Sequence, residues 1–206
     1  MQKLSNGAFQ LSSSRGANGY VLELADGYAV IDPGMKSGAR GVIAELAEAG
    51  ILGAVSHILL THYDIDHAGA ALALAEATGA LLWIGRADAD ILAGRRPAGT
   101  LSRKVTSSIG RPRLPGTVHF LGEYPGFPAD VTAIATPGHT PGHHAFVWDG
   151  SVFSGDAVMV RRDGTLKQFP RLLITDKAQA LDSTTILDAL DVRWVCPGHG
   201  KVTARR

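Results

Sequence analysis

The sequence predicts an α/β protein in which two sheets pack together with helices outside. Three observations lead there. Strand-like and helix-like segments recur in both halves of the chain without any sequence repeat. Of 206 residues, 45% are hydrophobic, enough for one sizeable core shared by two layered halves. Polar residues of metal-binding type follow several of the apolar runs, and the ends of strands are where α/β proteins commonly hold a site.

Composition narrows the function classes. A net charge of +1 gives no reason to expect nucleic acid or a membrane surface as partner. Cys196 is the sole cysteine, so no intrachain disulfide forms, and a buried inert thiol fits its place after an apolar run. The segment Met1–Gly7 lacks the apolar stretch of a signal peptide, and no run reaches the length of a membrane span. These features predict one domain over residues 1–206, cytoplasmic, acting on a small-molecule substrate. The oligomeric state is left open.

The elements follow in order. Tyr20–Leu24 and Tyr28–Ile31 read as strands joined by Ala25-Asp26-Gly27, an Asp-Gly hairpin signal. Asp32-Pro33-Gly34 reads as a turn; Asp32 closes it, the reading preferred from the residues alone, or lies beneath a site as a supporting carboxylate. Lys36–Ala49 has helical spacing and stops at Gly50. Val55–Leu60 is a strand containing a packing histidine, His57. His67–Thr78 is a helix, Ala80–Ile84 a strand and Ala87–Ala93 helical. Gly94–Gly116 carries Arg95, Arg96, Arg103, Lys104, Arg111 and Arg113, which makes it a surface excursion or a lid for an anionic substrate. Thr117–Leu121 and Val131–Ala135 are strands, and Ala145–Trp148 pairs with Ser151–Phe153 around Asp149-Gly150. Arg161–Ile174 is irregular. Asp176–Leu190 is a helix with Ala180, Ile186, Leu187 and Leu190 inward, and Val192–Val195 is the last strand.

The most informative stretch is Leu59-Leu60-Thr61-His62-Tyr63-Asp64-Ile65-Asp66-His67. An apolar strand runs directly into four potential ligands. On an extended chain His62, Asp64 and Asp66 point the same way, while His67 opens the next helix. Grouping so many polar side chains is costly unless a cation pairs them. His139, Asp156 and His199 likewise follow predicted strands and sit beside glycine. Together they make seven nitrogen and oxygen donor residues, a set suited to two divalent ions sharing a carboxylate.

Thr61–His67, Gly138-His139-Thr140-Pro141-Gly142, Gly155-Asp156 and Gly198-His199-Gly200 occur in the order found in the metallo-β-lactamase superfamily, which the chain resembles from about Asn18 onward. That resemblance implies the four-layer αββα sandwich. It implies His62, Asp64 and His139 around one metal, Asp66, His67 and His199 around the other, and Asp156 between them. It also implies a metal-dependent hydrolase in which a bridging hydroxide, oriented by Asp66 as catalytic residue, attacks an ester, thioester or lactone carbonyl. His143 would donate a proton or support a ligand, and support is the preferred role for it and for His144.

One position departs from the pattern. The usual second histidine is Asp64 here. With three aspartates and a hydroxide, a pair of divalent ions is neutralised, which should make the bound water less acidic. A hard oxygen ligand also moves preference from zinc, otherwise expected, toward iron or manganese. An iron-dependent oxidoreductase, dioxygenase-like or diiron, is therefore the alternative; flavodiiron reductases resemble this chain at residue 64 but carry a flavodoxin domain. The chain also ends soon after His199, whereas glyoxalase II carries a further helical glutathione-binding domain. Clinical β-lactamases usually have Arg or Cys where this chain has His67. Val158–Leu173 is expected to line the pocket with Phe169, and Arg161, Arg162, Lys167 and Arg171 would meet an acidic group or lie on the surface.

Overall fold

The computed structural model describes residues 1–98, 100, 111–161 and 163–205. Arg103 and Lys104 of the basic stretch, and Arg162, lie outside the described residues.

Seven strands form the first sheet in chain order: β1 (Gln2–Lys3), β2 (Phe9–Gln10), β3 (Tyr20–Leu24), β4 (Gly27–Ile31), β5 (Val55–Leu59), β6 (Leu81–Ile84) and β7 (His119–Phe120). β1 to β4 are antiparallel, and β4 to β7 are parallel. Three helices lie on its crossovers: α1 (Ala39–Glu48), α3 (Ala71–Thr78) and, after β6, α4 (Arg86–Leu92); the short α2 (Ile65–Ala68) precedes α3. The second sheet contains β8 (Thr132–Ala135), β9 (His144–Trp148), β10 (Ser151–Gly155), β13 (Trp194–Pro197) and β14 (Thr203–Ala204). Between β10 and β13 come a separate hairpin, β11 (Val158–Val160) with β12 (Leu166–Gln168), and the helix α5 (Lys177–Asp188).

Strand alternation sorts the side chains into layers. Tyr20, Leu22, Ala29, Ile31, Leu59 and Trp83 face inward from the first sheet to meet Phe146, Phe153 and Cys196 of the second. Their neighbours Val21, Val30, Ile58 and Leu82 face the other way, onto Val42 and Leu46 of α1 and Leu74 of α3. On the far side, Ala145, Val152 and Val195 pack on Leu187 of α5. The order is helix, sheet, sheet, helix: the αββα sandwich. The sheets meet through an edge contact between Tyr20 and Phe153, ring centroids 5.1 Å apart. Each such aromatic buries roughly 150–250 Å², so truncating Phe153 to alanine costs about 3–5 kcal/mol.

Several sequence expectations shift. The helix expected over His67–Thr78 is two helices. Ile65 and Asp66 already belong to α2, so the extended backbone stops at Asp64 and Asp66 sits on a helical turn. The break has a tertiary cause: the Ala70 amide bonds to Gly34 O at 2.8 Å instead of continuing the ladder. A Cβ on Gly69 would stand 2.4 Å from Ile65 O and 2.7 Å from Lys36 N, so glycine is required there. Irregular structure was expected over Arg161–Ile174, which contains β12 and a 3₁₀ turn at Arg171–Leu173. Ile186, expected inward, is 45% exposed, because Leu187 takes the buried position of that turn. His57 is a packing residue as expected: its Nδ1 accepts from Trp83 Nε1 at 3.0 Å. Cys196 is fully buried, and burial pushes its thiol up to about 12.

Candidate metal centre

Five strand ends deliver polar residues to one place. β4 ends at Asp32, β5 leads into Thr61-His62, β10 ends before Asp156 and β13 ends before Gly198-His199; the loop after β8 carries His139. Parallel pairing sets their level, since Ile31 lies opposite Leu59 and Gly155 opposite Pro197. The His139 loop is anchored to α5, where Ser183 Oγ donates to Pro137 O at 2.7 Å. The His199 loop is tied to the first sheet by Asn18 Nδ2, which donates to Pro197 O and Gly200 O at 3.0 and 2.9 Å. Tyr20 Oη adds a bond to Pro197 O at 2.7 Å. Glycine at 198 is obligatory, because a Cβ there would lie 2.6 Å from both Asp156 Oδ1 and His67 Cε1.

The structure brings together all seven of the donor residues named from the sequence, as two nests. In the first, Asp64 Oδ2 lies 3.1 Å from His139 Nε2 and 3.4 Å from His62 Nε2. Asp156 Oδ2 lies 3.4 Å from His139 Nε2 and 4.0 Å from His62 Nε2. In the second, Asp156 Oδ1 is 3.3 Å from His67 Nε2 and 3.5 Å from His199 Nε2. Asp66 Oδ2 is 3.3 Å from His199 Nε2 and 3.9 Å from His67 Nε2. Each oxygen of Asp156 thus belongs to a different nest.

The donor chemistry fits divalent ions. Ligand atoms ~2.0–2.2 Å from a tetrahedral ion lie roughly 3.3–3.6 Å from one another, and both nests bracket that spacing. His62 Nε2, His67 Nε2 and Asp156 Oδ1 are buried without a hydrogen-bond partner among the described residues. Buried polar atoms are rarely left so, and a cation at each nest would satisfy them.

Hydrogen bonds behind the donors fix their tautomers. Asp32 Oδ2 accepts from His67 Nδ1 at 2.8 Å and from Thr61 Oγ1 at 2.6 Å, and Asp32 Oδ1 accepts from the Thr61 amide at 2.9 Å. Thr61 Oγ1 in turn accepts from His62 Nδ1 at 2.9 Å. Both Nε2 atoms are therefore turned toward the centre, where they would serve as ligands once a cation displaces any proton they carry. Asp32 both occupies its turn, at φ 46°, and supports the ligands, so the turn-only preference is corrected. His143 is fully buried behind Asp156: its Nδ1 donates to Thr136 Oγ1 at 2.8 Å and its Nε2 accepts the Asp156 amide at 3.1 Å. Burial, with His62 and His139 nearby, holds it well below the usual histidine range, which favours the neutral imidazole. His144 Nδ1 donates to Gly142 O at 2.9 Å.

Asp88 of α4 was missed by the sequence reading. It is fully buried and accepts from Gly142 N at 2.6 Å, Thr140 Oγ1 at 2.7 Å and Tyr63 N at 3.2 Å. It clamps the loop after His62 to the loop after His139. Burial pushes its carboxyl up to about 6 against those bonds. No local signal marks it, because an aspartate in a first helical turn is ordinarily a helix-end residue.

Charges are strongly coupled without a cation. Burial favours a neutral His67, but Asp156 and Asp32 outweigh it and hold the imidazole well above its usual range. Contacts with Asp156 and Asp66 raise His199 to about 9. Burial acts against the Asp156 carboxylate, yet His67 and His199 hold it well below the usual range. Protons on imidazole here occupy the place that metal would take.

The centre is the floor of a cavity of about 560 Å³. Phe169, Met159 and Leu173 line it, as expected of the Val158–Leu173 stretch, but Arg161, Lys167 and Arg171 are not among its described lining residues. Arg161 instead reaches Leu166 O at 3.4 Å on the hairpin.

A two-sheet sandwich with His and Asp clusters at its strand ends is the architecture of a metal-binding superfamily. The family model described as Metallo-beta-lactamase superfamily matches residues 14–199, and the chain belongs to that superfamily. A Bacillus subtilis (strain 168) relative, YobT, is 29% identical over 89% of this chain and 83% of its own length. A hydroxyacylglutathione hydrolase of Rhodobacter capsulatus is 36% identical over 69% of this chain, which spans 47% of that protein. Among solved structures, TTHA1623 in a di-iron-bound form is 30% identical, with a TM-score of 0.71 over 91% of this chain and 89% of that one. Among the described residues, no helix is long and apolar enough to cross a membrane.

Proposed function

We propose that this protein is a metal-dependent hydrolase that splits an ester or thioester with water at the cavity floor. The carrying observation is the pair of nests around Asp156, whose two oxygens each face two imidazole nitrogens at 3.3–4.0 Å. His62, Asp64, His139 and Asp156 Oδ2 would hold one ion, and Asp66, His67, His199 and Asp156 Oδ1 the other. Bound divalent ions supply an acidified water and positive charge for a carbonyl oxygen.

The chain's own groups supply the rest. Asp66 lines the cavity beside His199 and is the carboxylate placed to orient water and take its proton. Burial works against its charged form, but His199, His67 and His62 outweigh burial and keep it ionised, below the usual carboxylate range. The carbonyl carbon gains the water oxygen and its bond to the alcohol or thiol breaks. The proton held at Asp66 passes to that leaving group. Phe169 stands over the floor with its ring 4.9 Å from that of His139 and excludes bulk water.

The test loads metal-depleted protein separately with zinc, iron and manganese, then assays short-chain esters and thioesters. Turnover with at least one metal is expected. No turnover with any of them, at full metal content, would sink the reading. An iron-dependent oxidoreductase is the second reading, supported by Asp64 in the first nest and by the di-iron form of TTHA1623. Purified protein carrying iron with a visible absorption band, and inert toward esters, would favour it.

A further inference from the structure

Above the polar floor, apolar side chains from two parts of the chain wall the cavity. Phe169, Met159 and Leu173 come from the β11–β12 hairpin and the turn after it, and Ile65, Ile91 and Met35 from the first half of the chain. Phe169 and Met159 belong to one small apolar cluster with Ile174, which fixes that wall. Arg111 also lines the cavity, and Asp64, Asp66 and Asp156 place carboxylates at the floor.

We propose that the substrate carries an extended apolar chain on its ester or thioester, and that this chain lies between the two apolar walls. This rests on the hydrolase reading above. A volume of about 560 Å³ suits a ligand much larger than a two- or three-carbon acyl group. A short acyl group would leave most of the apolar wall in water. Burying each added methylene is worth roughly 0.8 kcal/mol, about a fourfold gain at best. The same walls receive a chain on the acid side or on the alcohol side, and the two substrate series below distinguish them.

Two series test this on the metal-loaded protein. Calorimetric titration with n-alkanoates from acetate to decanoate measures binding alone. Turnover of N-acetylcysteamine thioesters with acyl chains of two to ten carbons, and of acetate esters of matching n-alkanols, measures the reaction and tells acyl-side from alcohol-side seating. Affinity and kcat/KM are expected to rise about two- to fourfold per methylene until the cavity fills. Leu173→Asp should flatten the slope with metal content retained, and if that variant does not fold the wild-type slope still decides. Turnover independent of chain length in both series overturns this inference and leaves the hydrolase reading standing. Binding that rises with chain length, without turnover of any ester, overturns the hydrolase reading and leaves the apolar-chain assignment standing. Flat binding together with flat or absent turnover overturns the assignment.

Discussion

The nest around His62 and His139 and the nest around His67 and His199 hold matching donor sets. Each has two imidazoles, one carboxylate of its own, and one oxygen of Asp156. Asp64 creates this symmetry, because the histidine usual at that position would have made the first nest richer in nitrogen. Burial separates them. His62 and His139 are 0% and 2% exposed, and in the second nest His67 is 0% but His199 31% exposed. Support separates them as well. Asp32 backs the first nest through Thr61 and the second directly through His67, while His199 stands on a loop tied down by Asn18 and Tyr20. Equal ligand chemistry in unequal surroundings means that selectivity and exchange should differ between the nests even though their donors do not.

The largest effect should come from the shared carboxylate. Asp156→Ala is expected to lower metal content from about two ions per chain to none, read by elemental analysis, because each ion loses a charged ligand. Unchanged content would end the bridging assignment. Next, Asp64→Ala and His199→Ala should each remove about one ion. If the two variants lose both ions together, the nests are not independent and the comparison breaks.

Asp64→His should sharpen the comparison by making the first nest unlike the second. It is expected to retain more zinc against iron or manganese and to move the pH–rate profile of ester hydrolysis to lower pH. Metal content and profiles identical to the parent would show that residue 64 holds no ion. Asp88→Asn sets an amide against donors that now meet a carboxylate, so it should cost about 1–3 kcal/mol in urea unfolding at pH 8. It should also weaken the first nest more than the second, because both clamped loops carry first-nest ligands.

The smallest effect concerns protons. His199 is raised from 6.5 to about 9, so its charged form stabilises the metal-free protein fully below about pH 6.5, and that contribution is lost as the pH rises through about 9. Urea midpoints of metal-free protein should therefore fall between pH 6.5 and 9, and His199→Gln should flatten that slope. Metal binding at pH 7.5 should release protons, measured as a dependence of the binding heat on buffer. The same urea slope in parent and variant would place the titrating group elsewhere.

Local pattern carries much of this protein. Apolar runs over Tyr20–Leu24 and Val55–Leu60, the Asp-Gly turns, the spacing of His62, Asp64, Asp66 and His67, and the place of His139, Asp156 and His199 after strands and beside glycine are short-range properties, and they mark the main strands and all seven clustered donors. Four motifs in order also pointed to the sandwich. What lay beyond reach depends on partners distant in sequence. Gly69 ends a helix because Gly34 and Lys36 press against it. Asp32 becomes a support because parallel pairing sets it beside Thr61. Asp88 has meaning only through the Tyr63 and Gly142 amides it joins. Arg161, Lys167 and Arg171 of the Val158–Leu173 stretch are not among the described lining residues, whereas Phe169 and Met159 are, and no local pattern in the sequence separates the two groups. Periodicity along a chain tells which residues share a face, but which faces meet is decided by strand order and packing, and these only the assembled fold contains.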